Sequence, residues 1–346
     1  METILGVGGR QTSYPVAEAS QVAAARRAAG DMAARLGFNE TGAGQVAIVV
    51  TEAAGNIVKH ASHGEIVLRQ VYRHGVAGIE ILALDRGPGI RNLAASMADG
   101  TSTAGSYGVG LGAMRRLSQE FDIYTTPGKG TVLGMVLWVG GAMPAEVALQ
   151  SGAVCLPLAG EHACGDAWAL TCSATSATVL LADGLGHGPN AAQASELAAG
   201  VLQARAGQPP GTLMQDAHDA LRGTRGAAVA VAVLDAIGTQ LQFCGIGNIA
   251  AHVYDGDGGA RRQMVSHNGI VGSNMRKVQE FATPWPAGAI LILHSDGLAT
   301  RWDLADYAGV FACHPRIIAA LLYRDFARGR DDVTVLVLRD QQEWVQ

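Results

Sequence analysis

The chain has 346 residues, of which 49% are hydrophobic and 16% are charged, and its formal net charge is -5 at pH 7. This composition excludes a disordered or fibrous chain, and the length predicts two domains of roughly 150 residues each. Because the chain is weakly acidic and has no block of basic residues, we do not expect it to bind nucleic acid.

The N-terminus and the cysteines indicate where the protein acts. Residues 1–5 lack the basic region of a secretory signal, and no apolar run reaches the ~20 residues needed to span a bilayer. We therefore expect a cytoplasmic protein with no membrane partner. The 5 cysteines contain no C-x-x-C pair, so reduced thiols that pack in the interior are expected rather than a disulfide framework or a zinc site.

Two helices are predicted at the start of the chain. Apolar residues recur at helical spacing over residues 16–36 and again over residues 39–60. In the second helix Glu52 and Asn56 lie four residues apart, so they project roughly 40° apart around the helix axis. Two polar groups are therefore expected to face the same place.

Strands and glycine-rich segments follow these helices. Alternating patterns predict strands over residues 65–72 and 78–84, and the second strand leads directly into residues 85–89, with the sequence D-R-G-P-G. A second glycine-rich segment, residues 105–112, precedes a helix predicted over residues 113–120. Glycines before a helix leave backbone N–H groups free to face phosphate.

Each of these features also has a purely structural explanation. Glu52 and Asn56 could form a solvated helix face, Asp85 could end its strand in a turn, and the glycine-rich segment 105–112 could be a flexible loop. Their order and spacing, followed by a strand pair around Gly130-Thr131, favour a nucleotide site instead.

In this order, the motifs resemble those of the GHKL ATPase superfamily, and in particular the RsbT-like serine/threonine switch kinases. The resemblance covers about residues 2–139 and implies an α/β sandwich of the Bergerat type that binds ATP with magnesium. It implies that Glu52 is the catalytic base for the acceptor hydroxyl, that Asn56 supplies a magnesium ligand and that Asp85 accepts from the adenine amino group. The other nucleotide-binding residues that it implies are Gly87, Gly89, Gly108, Gly110, Gly112 and Thr131.

The pattern leaves two questions open in the first half. Nucleotide binding can persist where phosphoryl transfer has been lost, so the motifs alone do not establish a kinase. Lys59 and His60 follow Asn56 and could approach the phosphates or the partner, or could be solvated cations at a helix end. A histidine kinase is not expected, because residues 10–20 are too short for paired dimerisation helices.

A glycine-rich segment indicates the domain boundary. We expect a first domain over residues 1–140, a linker over residues 141–149 and a second domain over residues 150–346. Many short strands with helical blocks between them predict stacked antiparallel sheets covered by helices in the second domain. The predicted strands cover residues 153–158, 167–171, 178–181, 227–234, 240–244, 250–254, 289–294 and 333–338, and the predicted helices cover residues 190–205, 212–222 and 314–326.

Acidic residues lie at the ends of four predicted strands in the second domain. They are Asp166, Asp183, Asp296 and the pair Asp331-Asp332. One Asp-Gly pair is usually only a turn, but four ordered acidic sites without clustered Cys or His suit magnesium or manganese. Two such ions, roughly 3.5–4 Å apart, can activate water and clamp phosphoryl oxygens, so hydrolysis needs no protein nucleophile.

The motifs Gly-Asp, Asp-Gly-x-Gly-His-Gly, Ser-Asp-Gly and Asp-Asp-x-Thr occur in that order. They resemble the metal-dependent PPM serine/threonine phosphatases, and in particular the SpoIIE/RsbX-type branch, over about residues 150–340. The resemblance implies an α-β-β-α sandwich that holds two manganese or magnesium ions. The ligands that it implies are Asp166, Asp183, Gly184, Asp296 and Asp331, of which Asp183, Asp296 and Asp331 form the catalytic set.

The resemblance also implies individual roles. Asp183 would bridge the two ions, Asp166 would bind an outer ion or its water, and Asp332 would orient the last strand. The family often continues Gly-Asp with Trp-Tyr-Asp, whereas Ala167-Trp168-Ala169 follow here, so one carboxylate for an additional ion is missing. His187 could steady its loop or approach the phosphate.

Taken together, the two halves predict a two-domain α+β protein with opposing activities. An ATP-dependent serine/threonine kinase would be fused to a phosphatase, and both would act on STAS-domain proteins of the anti-anti-sigma type in a bacterial partner-switching pathway. A homodimer is left open. The main alternative is a phosphatase whose first domain only binds nucleotide or a partner, and a third interpretation is a non-catalytic interaction scaffold.

Overall fold

The computed structural model describes residues 11–97, 110–145, 149–173, 176–235, 239–256 and 258–340. Of these, the residues up to Ala145 form one compact unit and those from Leu149 onward form another. The division falls within residues 141–149, the segment expected to be a linker. Each unit is described by itself below.

The first unit is an open antiparallel sheet with helices on one face. In chain order it contains β1 (Thr12–Val16), α1 (Ala19–Leu36), α2 (Glu40–Asn56), a π-helical turn (Ile57–Ala61), β2 (Gly64–Arg73), β3 (Val76–Asp85), α3 (Leu93–Met97), α4 (Gly110–Leu117), β4 (Glu120–Thr125) and β5 (Thr131–Trp138). The sheet order is β1-β2-β3-β5-β4. Apolar residues of α1, α2 and α4 pack against the sheet and form a single core.

Local signals explain where the two long helices begin and end. The Asn39 side chain accepts from the Gly42 N–H at 2.8 Å and so caps the start of α2. Helix α1 ends where Gly37 takes a positive φ of 82°, which glycine adopts without strain. The helix predicted to reach residue 60 changes to the π-helical turn after Asn56, and such turns are frequent at functional sites.

Two predicted boundaries in the first unit are wrong. Helix α4 begins at Gly110 rather than at residue 113, so Gly110 and Gly112 lie inside its first turn. It ends at Leu117 because Glu120 is already paired with Val136 in the sheet. The edge strand β1 was not predicted, and it pairs antiparallel with β2.

The second unit is an α-β-β-α sandwich. In chain order it contains β6 (Leu149–Leu156), β7 (Asp166–Cys172), β8 (Ser176–Gly184), α5 (Pro189–Ala204), α6 (Pro210–Ala220), β9 (Ala227–Asp235), β10 (Gln240–Ile246), β11 (Ala250–Tyr254), β12 (Arg261–Met264), β13 (Phe281–Pro284), β14 (Ile290–His294), two 3-10 turns (Leu304–Asp306 and Val310–Ala312), α7 (Pro315–Phe326) and β15 (Val333–Asp340).

Two five-stranded antiparallel sheets pack face to face in this unit. Their orders are β13-β10-β9-β8-β7 and β12-β11-β14-β15-β6. The main core contains inward-facing residues from both sheets. Helices α5 and α6 cover the outer face of the first sheet, and α7 packs on β6 and β15 of the second. The predicted sandwich is therefore confirmed.

The sequence missed two edge strands in the second unit, β12 and β13. Strand β6 ends at Leu156 instead of the predicted Leu158, because the Leu158 N–H donates to the Asp332 carboxylate at 2.8 Å. All 5 cysteines of the chain are free thiols. No helix among the described residues is long and apolar enough to cross a membrane.

Candidate functional site

In the first unit, the Asp85 carboxylate lies at the end of β3. One carboxylate oxygen of Asp85, Oδ1, accepts from the Gly87 N–H at 2.8 Å and from the Thr131 N–H at 3.3 Å. These bonds fix the carboxylate between the end of β3 and the start of β5. The structure thus brings together three of the residues expected to bind the nucleotide, Asp85, Gly87 and Thr131.

Glycines allow the backbone segments around Asp85 to approach closely. Gly89 and Gly130 have positive φ angles of 66° and 81°. A Cβ at Gly130 would lie 2.1 Å from the Asp85 carbonyl oxygen, and one at Gly89 would lie 2.3 Å from the Thr126 carbonyl oxygen. Both positions therefore exclude any residue with a side chain.

Glu52 and Asn56 face the start of α4. A Cβ added to Gly110 would lie 3.1 Å from Glu52 Oε2 and 3.5 Å from Asn56 Nδ2. Both residues are partly exposed. The expectation that these two polar groups face one place agrees with this geometry, and the place is the first turn of a helix.

The first turn of α4 offers donors that suit phosphate. The first N–H groups of a helix have no intrahelical acceptor, and the helix dipole favours negative charge there. Gly112 is buried in this turn, whereas the predicted Gly108 lies outside the described residues. Lys59 and His60 are exposed in the π-helical turn. The part of the chain that the structure describes thus contains a carboxylate at the end of β3 and the N–H donors of the first turn of α4.

The second unit holds a cross-strand pair of carboxylates. Asp166 begins β7 and Asp183 lies near the end of β8, and the two residues are direct antiparallel partners. Directly opposed residues point to the same face of a sheet, where like charges repel. Asp166 is buried, with 5% of its surface exposed. This arrangement is unfavourable when both carboxylates are ionised, unless a cation lies between them.

The glycines of the acidic motifs are required by close packing. A Cβ at Gly184 would lie 2.1 Å from the Ala191 carbonyl oxygen of α5. At Gly165 it would lie 2.5 Å from Asp332 Oδ2, and at Gly297 it would lie 2.0 Å from the Asp332 carbonyl oxygen. The loops that carry the aspartates can therefore converge only because these positions lack side chains.

Gly184→Ala is accordingly expected to destabilise the second unit. Overpacking typically costs about 1–3 kcal/mol, and each kcal/mol lowers the Tm of a domain of this size by about 2–4 °C. Gly200→Ala is the matched control, because Gly200 lies inside α5 and a Cβ there meets no described atom within 4 Å. Calorimetry of the two variants checks this: a Tm for Gly184→Ala at or above that of the native protein would contradict it.

Ser295 connects the two sheets at this site. Its Oγ donates to Asp166 Oδ2 at 2.6 Å and accepts from the Thr334 N–H at 2.9 Å. Its own N–H donates to the Thr334 carbonyl at 3.0 Å. Ser295 is fully buried, so this hydroxyl orients Asp166 without contact with solvent. Sequence reasoning missed this role, for which the place of Ser295 in the Ser-Asp-Gly motif is the only local signal.

The remaining aspartates lie around the same end of the sandwich. Asp296 follows β14, and its Oδ2 accepts from Asn248 Nδ2 at 2.7 Å. Asp331 precedes β15, and its Oδ1 accepts from the Asp332 N–H at 2.9 Å. Sequence reasoning also missed Asn248, which lies in the turn between β10 and β11. Its bond to Asp296 identifies it as a residue that orients this carboxylate.

His187 is paired rather than directed at a substrate. Its Nδ1 lies 2.7 Å from Glu161 Oε1, and a Cβ at Gly188 would lie 3.2 Å from Glu161 Oε2. Glu161 therefore contacts two positions of the loop that follows Asp183. This geometry favours the interpretation in which His187 steadies its loop.

Burial and mutual repulsion raise the pKa values of the aspartates at this site. Burial, followed by repulsion from Asp166, raises the pKa of Asp183 to about 9. Burial also raises the pKa of Asp166 to about 7, against the hydrogen bonds from Ser295 and Thr334. The pKa of Asp296 is raised by burial and by repulsion from Asp331, although Arg328 opposes this.

The carboxylate oxygens of this site suit divalent cations, although the described side chains do not yet converge on one point. Buried carboxylates that raise one another's pKa are compensated by a bound cation, and oxygen donors are the ligands that magnesium and manganese prefer. Within the described ranges, no three acidic, His or Cys side chains converge on one point. One carboxylate oxygen of Asp166 and one of Asp296 accept hydrogen bonds from Ser295 and Asn248. The assignment of individual ligands stays a prediction.

These shifts predict that the metal-free protein loses stability as the pH rises. The pKa values of Asp166 and Asp183 in the folded protein, about 7 and about 9, exceed the ordinary value of 3.8. Their protonated forms therefore stabilise the fold fully below about pH 4, and this contribution is lost as the pH rises through 7 and then 9. In EDTA, we expect a lower Tm at pH 9 than at pH 6.

Manganese should reverse this trend, because ions compete with protons for the same carboxylates and bind better as the pH rises. The Tm increase on adding manganese should thus be larger at pH 9 than at pH 6. Thermal unfolding at both pH values, with and without the ion, measures this. A metal-free Tm that rises with pH over this range would contradict the assignment.

Comparisons with known proteins match each unit to a different family. Residues 16–137 match the family described as histidine kinase-like ATPase domain, and residues 173–341 match that described as stage II sporulation protein E (SpoIIE). Serine/threonine-protein kinase RsbT of Bacillus subtilis (strain 168) is 36% identical over 118 residues, which cover 34% of this chain and 89% of the relative. Phosphoserine phosphatase RsbX of the same organism is 22% identical over 139 residues, covering 40% of this chain and 69% of the relative.

Two solved structures are similar in fold. A chain from "The bacterial stressosome: a modular system that has been adapted to control secondary messenger signaling" has a TM-score of 0.52 and 29% identity, and the match covers 55% of this chain and 99% of that chain. RsbX in complex with magnesium has a TM-score of 0.51 and 19% identity, covering 58% and 99%. The chain therefore belongs to the RsbT-like kinases of the histidine kinase-like ATPase family in its first half, joined to a SpoIIE-type phosphatase domain in its second.

Proposed function

We propose that this protein both phosphorylates and dephosphorylates serine or threonine on a STAS-domain protein of a bacterial partner-switching pathway. The observation that carries the proposal is the presence of two separate chemical sites in one chain. Glu52 and Asn56 face the first turn of α4, and Asp166 and Asp183 are paired at the end of the phosphatase sheet. The likeness to a serine/threonine-protein kinase and to a phosphoserine phosphatase supports opposing reactions on the same type of side chain.

In the kinase reaction the acceptor hydroxyl oxygen bonds to the γ-phosphorus of ATP, and the bond to the ADP oxygen breaks. Glu52 takes the hydroxyl proton as this bond forms, and Asp85 holds the adenine amino group. A magnesium ion on Asn56 would neutralise phosphate charge. The N–H groups in the first turn of α4 would hold the phosphates, so positioning and charge neutralisation would supply most of the catalysis.

In the phosphatase reaction water cleaves the phosphorus–oxygen bond of the phosphorylated side chain, which regains its hydroxyl proton. Two manganese or magnesium ions would supply Lewis-acid chemistry and lower the pKa of water. Asp183, Asp296 and Asp331, with the Gly184 carbonyl, are proposed to hold these ions, and Asp166 an outer one. Ser295 and Asn248 keep Asp166 and Asp296 oriented, as hydrogen-bonding partners of metal ligands do.

The proposal is tested with labelled ATP and purified STAS-domain proteins from the same genome. Asp183→Asn, which silences hydrolysis, should place label from the γ-phosphate on one of these proteins. Adding native protein with manganese should then remove the label as inorganic phosphate. Label that never appears on any STAS-domain protein would reject the kinase assignment, and label that native protein cannot remove would reject the phosphatase assignment.

A further inference from the structure

Helix α2 contains two glycines at which an added side chain would meet nothing among the described residues. A Cβ at Gly44 or at Gly55 would meet no described atom within 4 Å. By contrast, a Cβ at Gly64, just after this helix, would lie 2.3 Å from the Leu84 carbonyl oxygen. Glycine is the least favourable residue inside a helix apart from proline. Gly44 and Gly55 therefore weaken α2 without relieving any contact within the described chain.

The two glycines lie on one face of the helix together with an exposed apolar residue. At about 100° per residue, Gly55 lies roughly 20° from Gly44 around the axis, and Ile48 roughly 40° from it. Ile48 is 49% exposed. Thr51 lies on the same face, and its hydroxyl already donates to the Ala47 carbonyl at 2.7 Å. This docking face, Gly44, Ile48, Thr51 and Gly55, is uncharged and has low relief except at Ile48.

The docking face is continuous with the candidate catalytic base. Glu52 is one turn beyond Ile48 and roughly 40° from it around the axis, and Gly55 immediately precedes Asn56. A general base must come within about 2.6–3.2 Å of the hydroxyl that it deprotonates. A protein that presents its hydroxyl to Glu52 therefore has to lie over the neighbouring turns of α2.

We propose that the docking face binds the protein substrate of the kinase, through the segment that flanks the phosphorylated serine or threonine. The missing side chains at Gly44 and Gly55 let the substrate backbone approach α2 closely, and Ile48 enters an apolar depression in that segment. This inference rests on the proposed kinase function. It assigns recognition of the partner to residues that touch neither the nucleotide nor the transferred phosphoryl group.

Two substitutions test the docking face. Ile48→Ser removes the apolar contact, and Gly44→Gln places a long side chain on the face while favouring the helix. Each should raise the KM for the STAS-domain protein by about tenfold, as loss of a central interface contact does. The kcat and the affinity for a fluorescent ATP analogue should stay native, and the Tm of Gly44→Gln should not fall.

The matched control is Tyr72→Ser, which removes another large side chain that is 45% exposed. Tyr72 lies near the turn of the β2–β3 hairpin, and Asp85 lies at the other end of the hairpin. It should leave the KM unchanged. A native KM in both α2 variants would overturn the docking face while leaving the kinase assignment intact. If the native protein transfers no phosphate, the kinase assignment fails, and calorimetric binding of the same STAS-domain protein then tests the docking face. Equal affinity of the native protein and Ile48→Ser for the STAS-domain protein would overturn the docking face. Weaker affinity of Ile48→Ser would support it.

Discussion

Replacing Asp183 with asparagine is expected to lower hydrolysis of a phosphoserine protein by about 10³-fold, because bound ions contribute several kcal/mol to such reactions and each 1.36 kcal/mol is a factor of ten. Asparagine keeps the shape of the side chain but removes the charge that would bridge two ions. Phosphate release from a phosphorylated STAS-domain protein measures the rate, and the affinity for an ATP analogue should be unchanged.

The same substitution is expected to raise the thermal stability of the metal-free protein. Asp183 is held next to Asp166, and burial raises its pKa to about 9. A neutral asparagine side chain at this position would carry no such penalty, so the Tm of Asp183→Asn in EDTA at pH 9 should exceed that of the native protein. Asp235→Asn is the matched control, because Asp235 lies on the neighbouring strand at the far end of the sheet, opposite Ser176. Native phosphatase activity in Asp183→Asn would exclude Asp183 as a ligand of catalytic ions.

Glu52→Gln is expected to lower phosphoryl transfer by about 10²–10⁴-fold, which is the contribution of a positioned general base. Glutamine retains the size of the side chain beside Gly110 but cannot take the proton of the acceptor hydroxyl. The affinity for ATP should remain native, because Asp85 and the first turn of α4 are unaltered. Transfer of label to the STAS-domain protein and binding of a fluorescent ATP analogue separate the two effects.

Glu40→Gln is the control on the same helix, since Glu40 lies in the first turn of α2, three turns before Glu52. It should transfer phosphate at the native rate. If Glu52→Gln also transfers at the native rate, then Glu52 is not the base. If neither it nor the native protein transfers any phosphate although both bind ATP, the first unit is a nucleotide-binding module without catalysis.

Elements with strong periodicity could be predicted from the sequence. The strand predicted over residues 250–254 has the bounds of β11, and helical spacing located α1 and α2. The edge strands β12 and β13 have four residues each and no apolar run. They form because β11 and β10 offer pairing edges, which is information from distant parts of the chain.

In the candidate sites, too, some residues could be predicted from the local sequence and others could not. Asp183 and Asp85 stand out locally, because each ends an apolar strand and precedes a glycine-rich turn. Ser295 has only its place in the Ser-Asp-Gly motif as a local signal, and Asn248 lies in the turn between β10 and β11. Ser295 acts on Asp166 across 129 positions of sequence, and Asn248 acts on Asp296 across 48. The packing of the two sheets brings Ser295 to Asp166, and the antiparallel pairing of β11 with β14 brings Asn248 to Asp296.

The proposed function requires one chain to add and remove the same phosphoryl group. This is tested most directly by phosphorylating the STAS-domain protein with Asp183→Asn, removing that variant and the ATP, and adding Glu52→Gln with manganese. Mass spectrometry then follows the modified peptide. We expect one phosphorylated serine or threonine, formed by the first variant and returned to the free hydroxyl by the second. The proposed function would be contradicted if Glu52→Gln left this phosphorylated residue intact and hydrolysed a different phosphorylated site.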